Sequence, residues 1–189
     1  MNDFTAIITC HKDMDGLLNI FRQLSEQEQK PDIVECLVSD LGFTVEELLE
    51  IFSDYNDDFK INFYVTENFN DYGHYKRRKG LEYATTEWCG FFNCDDLYDK
   101  SFIKELMLHV EGNDLVFCDF ISHNTGPSII SSTPRIGRIT SGSFIIRTTF
   151  ARSVGYNHDS YDGDGRFIED LMIAGAKCFH VEKHLYTHL

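Results

Sequence analysis

Short apolar runs alternate with amphipathic segments through the first half of the chain, and this alternation limits the possible folds more than any other feature. The apolar runs are typical of buried strands, and the segments between them carry apolar residues at helical spacing. Predicted strands cover 4–9, 32–38, 61–65, 88–92 and 114–119, and predicted helices cover 13–29, 44–55, 72–84 and 101–110. Strands and helices in this order predict an α/β fold with a mostly parallel central sheet.

The second half is less regular. Residues 122–139 hold Gly126, Pro127, Pro134 and Gly137 without a clear period, which is typical of a binding loop or a lid. A strand at 142–147 and a helical turn at 148–154 are predicted next, followed by an acidic stretch at 159–165 and a helix at 166–174. Two short extended segments, 178–181 and 185–189, complete the prediction.

Length and charge narrow the class of protein. The 189 residues suit one domain, and 17 basic against 31 acidic residues give a formal net charge of −14. We expect no nucleic acid partner, because phosphate backbones are bound by lysine and arginine. No apolar run reaches the roughly 18 residues of a membrane span. The six cysteines form no CxxC pair, so we expect reduced thiols, mostly in the core, in a cytoplasmic protein.

Polar residues follow the predicted strands of the first half. They are Cys10, His11 and Lys12 after the first strand, Ser39 and Asp40 after the second, Asn68 after the third, and Asn93 to Asp96 after the fourth. Ligands of parallel α/β sheets bind beyond the carboxyl ends of the strands. The sequence therefore predicts a ligand site built from these four segments.

Two charged groups near these ends admit more than one interpretation. Asp95 and Asp96 could hold a hard divalent cation whose coordination a phosphate completes, or they could cap the next helix. Residues 76–79 are the single basic run of the chain. This run could be a solvated helix face, or Arg77 or Arg78 could contact a diphosphate.

The remaining candidates lie in the second half. The acidic stretch fits no EF-hand register, and it is either a plain turn or a segment through which Asp164 opens a helix and acts as a general base. His180, His184 and His188 have helical spacing in a segment that is predicted as strand, so a three-histidine zinc site is not expected. His188 alone is a candidate metal ligand.

In their order along the chain, these features resemble the family 2 glycosyltransferases of the GT-A fold, which use nucleotide-sugar donors. The resemblance covers nearly the whole chain. It rests on Ala6-Ile7-Ile8-Thr9-Cys10-His11-Lys12, Val38-Ser39-Asp40-Leu41-Gly42, Lys76-Arg77-Arg78-Lys79-Gly80-Leu81, Phe91-Phe92-Asn93-Cys94-Asp95-Asp96 and Asp162-Gly163-Asp164. It implies a Rossmann-like α/β/α sandwich with a nucleotide-sugar-binding half at 1–96 and an acceptor-binding half at 97–189.

The resemblance also implies roles for individual residues. Donor contacts are expected from Thr9, Cys10, His11, Asp40, Arg77, Asn93, Cys94 and Asp95, a Mn²⁺ or Mg²⁺ site from Asp95 and His188, and the catalytic base from Asp164. Asn93 stands where the DxD motif of the family has its first aspartate, and Gly163 stands where the family often has glutamate. The Gln-x-x-Arg-Trp motif of processive synthases is absent, so one transfer per encounter is expected.

The implied activity is transfer of a sugar, with inversion, from a UDP-sugar to the hydroxyl of a glycan or other acceptor. A silent domain of the same fold that binds a nucleotide or a protein is the alternative. A nucleotidyltransferase is a weaker third hypothesis, because a triphosphate needs more lysine and arginine than this acidic chain offers. The residues can also be one domain of a longer enzyme.

Overall fold

The computed structural model describes residues 3–123 and 126–189. Within these ranges a single mixed sheet of nine strands carries six α-helices. The strands are β1 (Phe4–His11), β2 (Ile33–Ser39), β3 (Lys60–Val65), β4 (Trp88–Asn93), β5 (Leu97–Tyr98), β6 (Leu115–Ser122), β7 (Ser128–Ile130), β8 (Phe144–Arg147) and β9 (Cys178–His188). The helices are α1 (Met14–Ser25), α2 (Val45–Ile51), α3 (His74–Tyr83), α4 (Phe102–Met107), α5 (Thr148–Val154) and α6 (Gly163–Ile173). None of these helices is long and apolar enough to cross a membrane.

The strand order is β3-β2-β1-β4-β8-β6-β9-β5, with β7 paired to β6. The first four strands of this order run parallel to one another, and β6 is parallel to β9. β8 is antiparallel to both β4 and β6, and it joins the two parallel groups. The prediction of an α/β fold with a mostly parallel sheet is confirmed.

Helices cover both faces of the sheet because its central strands are buried on both sides. Along β1, Ala6, Ile8 and Cys10 lie in one apolar cluster with residues of α1, α2 and α4. Ile7 points the other way, into a second cluster with residues of α3, α5 and α6. This alternation is the period of two that a strand imposes on its side chains. It produces the three-layer α/β/α arrangement.

The early elements match the sequence predictions closely, with shorter helices. Thr44 and Glu47 form the predicted capping box of α2, which ends at Ile51 and is followed by a 3₁₀ turn at Ser53–Tyr55. α1 ends at Ser25, earlier than predicted, and α4 covers less of its segment than expected.

The elements of the second half differ more from the sequence predictions. The two extended segments predicted after residue 177 are one strand, β9, and α6 begins three residues before the predicted start. The predicted loop at 122–139 contains β7, and its residues 124 and 125 lie outside the described ranges. The strand predicted from Gly142 starts only at Phe144, after a 3₁₀ turn at Ser141–Ser143. Cys178, expected in the core, is exposed.

Gly80 sets how closely α3 approaches the sheet. A Cβ atom at this position would lie 2.2 Å from Ile7 Cγ2 and 3.1 Å from Leu37 Cδ1. Such distances are far below van der Waals contact, so only glycine permits this approach. The close packing holds the N-terminal turn of α3 over the carboxyl ends of β1, β2 and β4.

Candidate active site

Strained backbone conformations lie where the parallel strands end. Lys12, Asp40, Asn70 and Tyr72 have positive φ angles of 54°, 56°, 52° and 58°. Lys12 follows β1, Asp40 follows β2, and the other two precede α3 after β3. Non-glycine residues seldom adopt this conformation, and such strain concentrates at functional sites. The observation supports the ligand site predicted at these ends.

Asp40 and His11 form the outer end of the site. His11 Nδ1 lies 3.4 Å from Asp40 Oδ2 and 3.1 Å from Ser39 Oγ, and Asn68 donates to His11 Nε2 at 3.4 Å. Both Asp40 and His11 keep more than two fifths of their side-chain surface exposed. Segments after three different strands therefore present one polar surface, as the sequence predicted.

Thr9, Cys10 and Cys94 line the floor beneath this surface. All three are buried, and Thr9 Oγ1 approaches Gly73 at the start of α3. The Cys10 thiol donates to Asp13 O at 3.2 Å, and the Cys94 thiol donates to Thr9 O at 3.5 Å. A hydrogen bond with Cys10, together with burial, raises the pKa of the Cys94 thiol. Both thiols face the core, so their residues can offer a ligand only backbone groups.

Arg77 connects α3 with the end of β4. Its Nη2 donates to Asn93 Oδ1 at 2.8 Å, and its Nη1 donates to Tyr72 O at 2.7 Å. Asn93 in turn donates through Nδ2 to Asp96 Oδ2 at 2.8 Å. Asn93, which replaces the expected aspartate, thus joins the guanidinium to a carboxylate, as an acidic side chain at this position could not.

Asp96 is completely buried and satisfied by protein groups. Besides Asn93, it accepts from Tyr186 OH at 2.5 Å, from His188 Nδ1 at 3.0 Å and from Leu189 N at 3.2 Å. It does not cap a helix, because β5 follows it and Ser101 is the residue before α4. The helix-cap interpretation of the acidic pair is therefore wrong, and Asp96 has a structural role.

With Asp96 satisfied by protein groups, Asp95 and His188 are the two candidate metal ligands at the end of β4. Asp95 is exposed, and burial of part of its carboxyl group and the charge of Asp96 raise its pKa. The hydrogen bond to Asp96 raises the pKa of His188 and occupies its Nδ1. Metal-binding histidines usually have one ring nitrogen hydrogen-bonded to a carboxylate or carbonyl, so that the other nitrogen can bind the metal. In His188, Asp96 contacts Nδ1, and Nε2 is the nitrogen left for a metal ion.

Asp95 and His188 fit Mn²⁺ or Mg²⁺ only if the ion takes its other ligands from outside the protein. Within 3–123 and 126–189 no group of three or more acidic, histidine or cysteine side chains could hold a metal ion. Mg²⁺ commonly takes one or two protein ligands and completes its shell with substrate phosphates and water. One carboxylate and one imidazole suit a metal ion that binds together with a diphosphate.

Asp164 faces the same region from α6. Its Oδ2 accepts from Ser141 N at 3.0 Å, and its Oδ1 accepts from Gly165 N at 2.8 Å. The Ser141 hydroxyl lies 3.5 Å from Asn93 Nδ2. Because Ser141 contacts both groups, Asp164 is tied to the Arg77–Asn93–Asp96 chain by one residue. Asp164 is half-buried.

The basic run is not a solvated helix face, although that was one of its two interpretations. Lys76 and Arg77 are buried. Arg78 donates to Tyr156 O and pairs with Asp159 at 2.7 Å, and Lys79 pairs with Glu82 at 2.7 Å. Of the two arginines, Arg77 is the one that reaches Asn93 at the end of β4, whereas Arg78 contacts the acidic stretch at 159–165.

Sequence reasoning missed Ser141 and Tyr186. Ser141 contacts Asn93, 48 residues away, and Tyr186 contacts Asp96, 90 residues away, and neither residue belongs to a motif. The one sequence feature that relates to this contact is the glycine at position 142. A Cβ atom there would lie 2.4 Å from Tyr186 Cε2. Only glycine allows the tyrosine ring to pass and reach Asp96.

The comparisons with known proteins agree with this geometry. The sequence profile described as Glycosyl transferase family 2 matches residues 5–169, which is most of the chain. The chain belongs to glycosyl transferase family 2. Comparison with curated protein sequences found no match.

Solved structures share the fold of this family 2 chain. S. aureus TarS 1-349 in complex with UDP superposes with a TM-score of 0.74 at 17% identity, and its complex with UDP-GlcNAc does so with 0.74 at 18%. The mannosyltransferase PcManGT from Pyrobaculum calidifontis, in complex with GDP-Man and Mn²⁺, gives 0.71 at 14%. They match 98%, 98% and 100% of this chain, which spans only 60%, 58% and 59% of theirs.

Proposed function

We propose that this domain transfers a sugar from a nucleoside diphosphate sugar, a UDP-sugar in the first instance, to an acceptor hydroxyl with inversion at the anomeric carbon. One observation carries the proposal. Ser141 contacts both Asp164 (3.0 Å) and Asn93 (3.5 Å), so the candidate base adjoins the residues that would hold the diphosphate. A single displacement needs these two groups on opposite sides of one sugar ring.

The donor would lie across the carboxyl ends of β1, β2 and β4. Asp40, with Thr9, Cys10 and His11 beside it, would contact the base, and Arg77, Asn93, Cys94 and Asp95 would lie along the diphosphate. Two solved proteins of this fold support a donor of this class, since S. aureus TarS binds UDP-GlcNAc and PcManGT binds GDP-Man. The proposed donor half is 1–96.

Asp95 and His188 Nε2 would hold Mn²⁺ or Mg²⁺. When bound, such an ion stabilises negative charge on a leaving diphosphate. Arg77 would add a fixed positive charge at the same position, because Asn93 and Tyr72 O already hold its guanidinium. Because the guanidinium is already held in place, it does not have to reorganise during the transfer.

Asp164 would remove the proton from the acceptor hydroxyl. Two backbone N–H groups orient its carboxylate. The oxygen of the acceptor then forms the new glycosidic bond while the bond to the diphosphate breaks, and the proton stays on Asp164. The acceptor half, 97–189, supplies this residue.

The test is to incubate the protein with UDP-sugars and GDP-sugars, Mn²⁺ and a panel of saccharide acceptors, and to identify the released nucleotide. Release of a nucleoside diphosphate that depends on the acceptor supports the proposal. Pyrophosphate released from nucleoside triphosphates would indicate a nucleotidyltransferase. Donor binding without release would favour the silent domain.

A further inference from the structure

His74, the first residue of α3, is a buried histidine that the proposed mechanism does not use. It is 2% exposed, and both nitrogens of its ring have a partner. Nε2 lies 2.8 Å from the carbonyl oxygen of Ser160, and Nδ1 lies 3.0 Å from the hydroxyl oxygen of Tyr156. These partners are 86 and 82 residues away in the chain, in the segment 156–160 that precedes α6. His74 therefore joins two parts of the fold that lie far apart in the sequence.

The two partners define the state of the His74 ring. A carbonyl oxygen can only accept a hydrogen bond, so Nε2 carries the proton and donates to Ser160. Nδ1 then accepts from the hydroxyl of Tyr156. Burial and the positive charge of Arg77 lower the pKa of His74, which agrees with a neutral ring. The neutral imidazole thus makes one donor contact and one acceptor contact, and each fixes its orientation.

Arg78 holds the same segment one turn later on α3. Its Nε donates to Tyr156 O at 2.7 Å, and its Nη2 donates to Asp159 Oδ1 at 2.7 Å. His74 and Arg78 are four residues apart, so they lie on one face of the helix. The Asp159 side chain is 63% exposed, and an ion pair of this kind is screened by solvent. The buried contacts of His74 are therefore the stronger restraint on 156–160.

The segment that His74 holds leads directly into the candidate base. Gly163 N donates to Ser160 O at 2.8 Å, so this carbonyl accepts both from His74 and from the backbone just before Asp164. A Cβ atom at position 163 would lie 2.8 Å from His74 Nε2. The imidazole thus packs against the first turn of α6, and Asp164 is the next residue of that turn.

At its other end, the connection reaches the diphosphate end of the site. Arg77 lies three residues after His74 on α3, and its Nη2 donates to Asn93 Oδ1 at 2.8 Å. Groups that are carried on one helix are held more precisely than groups on loops. Because α3 carries Arg77 and binds Ser160 through His74, it fixes how far Arg77 stands from Asp164.

We propose that His74 is a positioning residue that sets the separation between the candidate base Asp164 and the diphosphate contact Arg77, an inference that rests on the proposed function. A single displacement needs the acceptor oxygen, the anomeric carbon and the leaving oxygen in line, so the base has to stand at one distance from the leaving group. A misplacement of about 1 Å in such an arrangement can cost about 100-fold in rate. His74 contacts no reacting atom and acts through the segment 156–163.

The test uses three substitutions that remove different contacts of His74. His74→Phe keeps a buried ring and removes both hydrogen bonds. His74→Asn is too short to reach Ser160, and it serves if the phenylalanine variant does not fold. In His74→Gln the side-chain amide N–H takes the place of Nε2–H and can still donate to Ser160.

Rates are measured as nucleoside diphosphate released from UDP-sugars and GDP-sugars with saccharide acceptors, and affinities by titration with UDP and GDP in excess Mn²⁺. We expect kcat to fall about 10- to 100-fold in His74→Phe and His74→Asn, and to stay within about threefold of the wild type in His74→Gln. The affinity for UDP or GDP should stay within about twofold in all three variants, because their contacts lie elsewhere.

Phe52→Leu is the control for a loss of stability alone. Phe52 is fully buried in the apolar cluster of α1, α2 and α4, on the opposite face of the sheet from α3. This variant should have a lower melting temperature and an unchanged kcat at temperatures where it stays folded.

Equal kcat values in the glutamine and asparagine variants, or a loss of nucleotide affinity as large as the loss of kcat, would overturn the positioning role alone. A wild-type protein that releases no nucleoside diphosphate from any donor would instead overturn the proposed function, and the role of His74 with it.

Discussion

The carboxylate of Asp96 lies 3.0 Å from Nδ1 of His188, although 92 residues separate them in the chain. The same carboxylate accepts from Tyr186 OH at 2.5 Å and from Asn93 Nδ2 at 2.8 Å. One buried acidic group thereby joins the loop after β4 to the end of β9. The proposed metal ligand His188 and the diphosphate contact Asn93 both depend on it for their position.

Replacing Asp96 should be far more damaging than replacing its neighbour Asp95. Asp96→Ala removes the acceptor shared by the buried Tyr186 hydroxyl and the half-buried His188 and Asn93, and we expect a loss of about 3–5 kcal/mol in the free energy of unfolding. Urea unfolding at neutral pH measures it. Asp95→Ala, at an exposed position, is the control and should cost under about 1 kcal/mol. Equal losses in the two variants would contradict the structural role of Asp96.

Gly142→Ala should destabilise the protein by displacing Tyr186. The new methyl group would overlap the tyrosine ring, and overpacking of this kind costs about 1–3 kcal/mol. The adjacent change Ser141→Ala keeps the backbone N–H that holds Asp164, and it should cost less. Thermal unfolding of the two variants compares them. A Gly142→Ala protein as stable as the wild type would show that the ring does not pass this position.

Glu35→Gln should stabilise the protein increasingly as the pH rises. Glu35 is 3% exposed, its Oε1 accepts from Asn62 Nδ2 at 3.0 Å, and its Oε2 has no partner among the described residues. Burial raises its pKa, against the nearby Tyr64 hydroxyl, the hydrogen bond from Asn62 and the charge of Lys60. The folded protein therefore holds this proton more strongly than the unfolded chain. Ionisation of Glu35 therefore costs no stability while the pH is below the pKa of Glu35 in the unfolded chain. The free energy of unfolding falls as the pH rises above that value and through the higher pKa of the folded protein.

The melting temperatures of wild type and Glu35→Gln should therefore coincide at about pH 4 and diverge towards about pH 8, with the variant higher. Glu111→Gln, which changes an exposed glutamate, is the control for the loss of one charge. A difference that is constant over this range, or that shrinks as the pH rises, would contradict the account of Glu35.

β1, β2 and β4 could be predicted from sequence because they are buried on both faces, so that most of their residues are apolar. β9 could not, since Glu182, Lys183 and His184 are exposed in its middle and interrupt the apolar pattern. α6 begins among residues typical of a turn. Gly163 is needed there because a Cβ would lie 2.8 Å from His74 Nε2. In both cases tertiary contacts, rather than local preference, set the boundary.

The site was predictable only in part, for a similar reason. Asp40, Arg77 and Asn93 follow or face strand ends, so the topology brings them together. The roles of Asp95 and Asp96 could not be separated, because only the contact with Tyr186 and His188 makes Asp96 structural. Ser141 and Tyr186 lie in no motif. Their contribution comes from chain segments that meet only in the folded protein.

Asp164→Asn should lower turnover while donor binding is kept. Removal of a general base typically costs about 10²–10⁴-fold in rate. Asparagine has the same shape and can still accept from Ser141 N–H, so the affinity for the donor should change little. Steady-state rates and donor titrations of the variant separate the two effects. Asp162→Asn, two residues earlier and paired with Arg166, is the control. Normal turnover of Asp164→Asn would remove Asp164 from the mechanism.

Thermal unfolding with UDP and GDP, each with and without Mn²⁺, tests the central claim most directly. A ligand that binds only the folded state raises the melting temperature by mass action. We predict a rise that requires a nucleoside diphosphate and the metal together, and that Asp95→Ala loses. No rise with any nucleotide, or an equal rise in the variant, would contradict a metal-dependent donor site at Asp95.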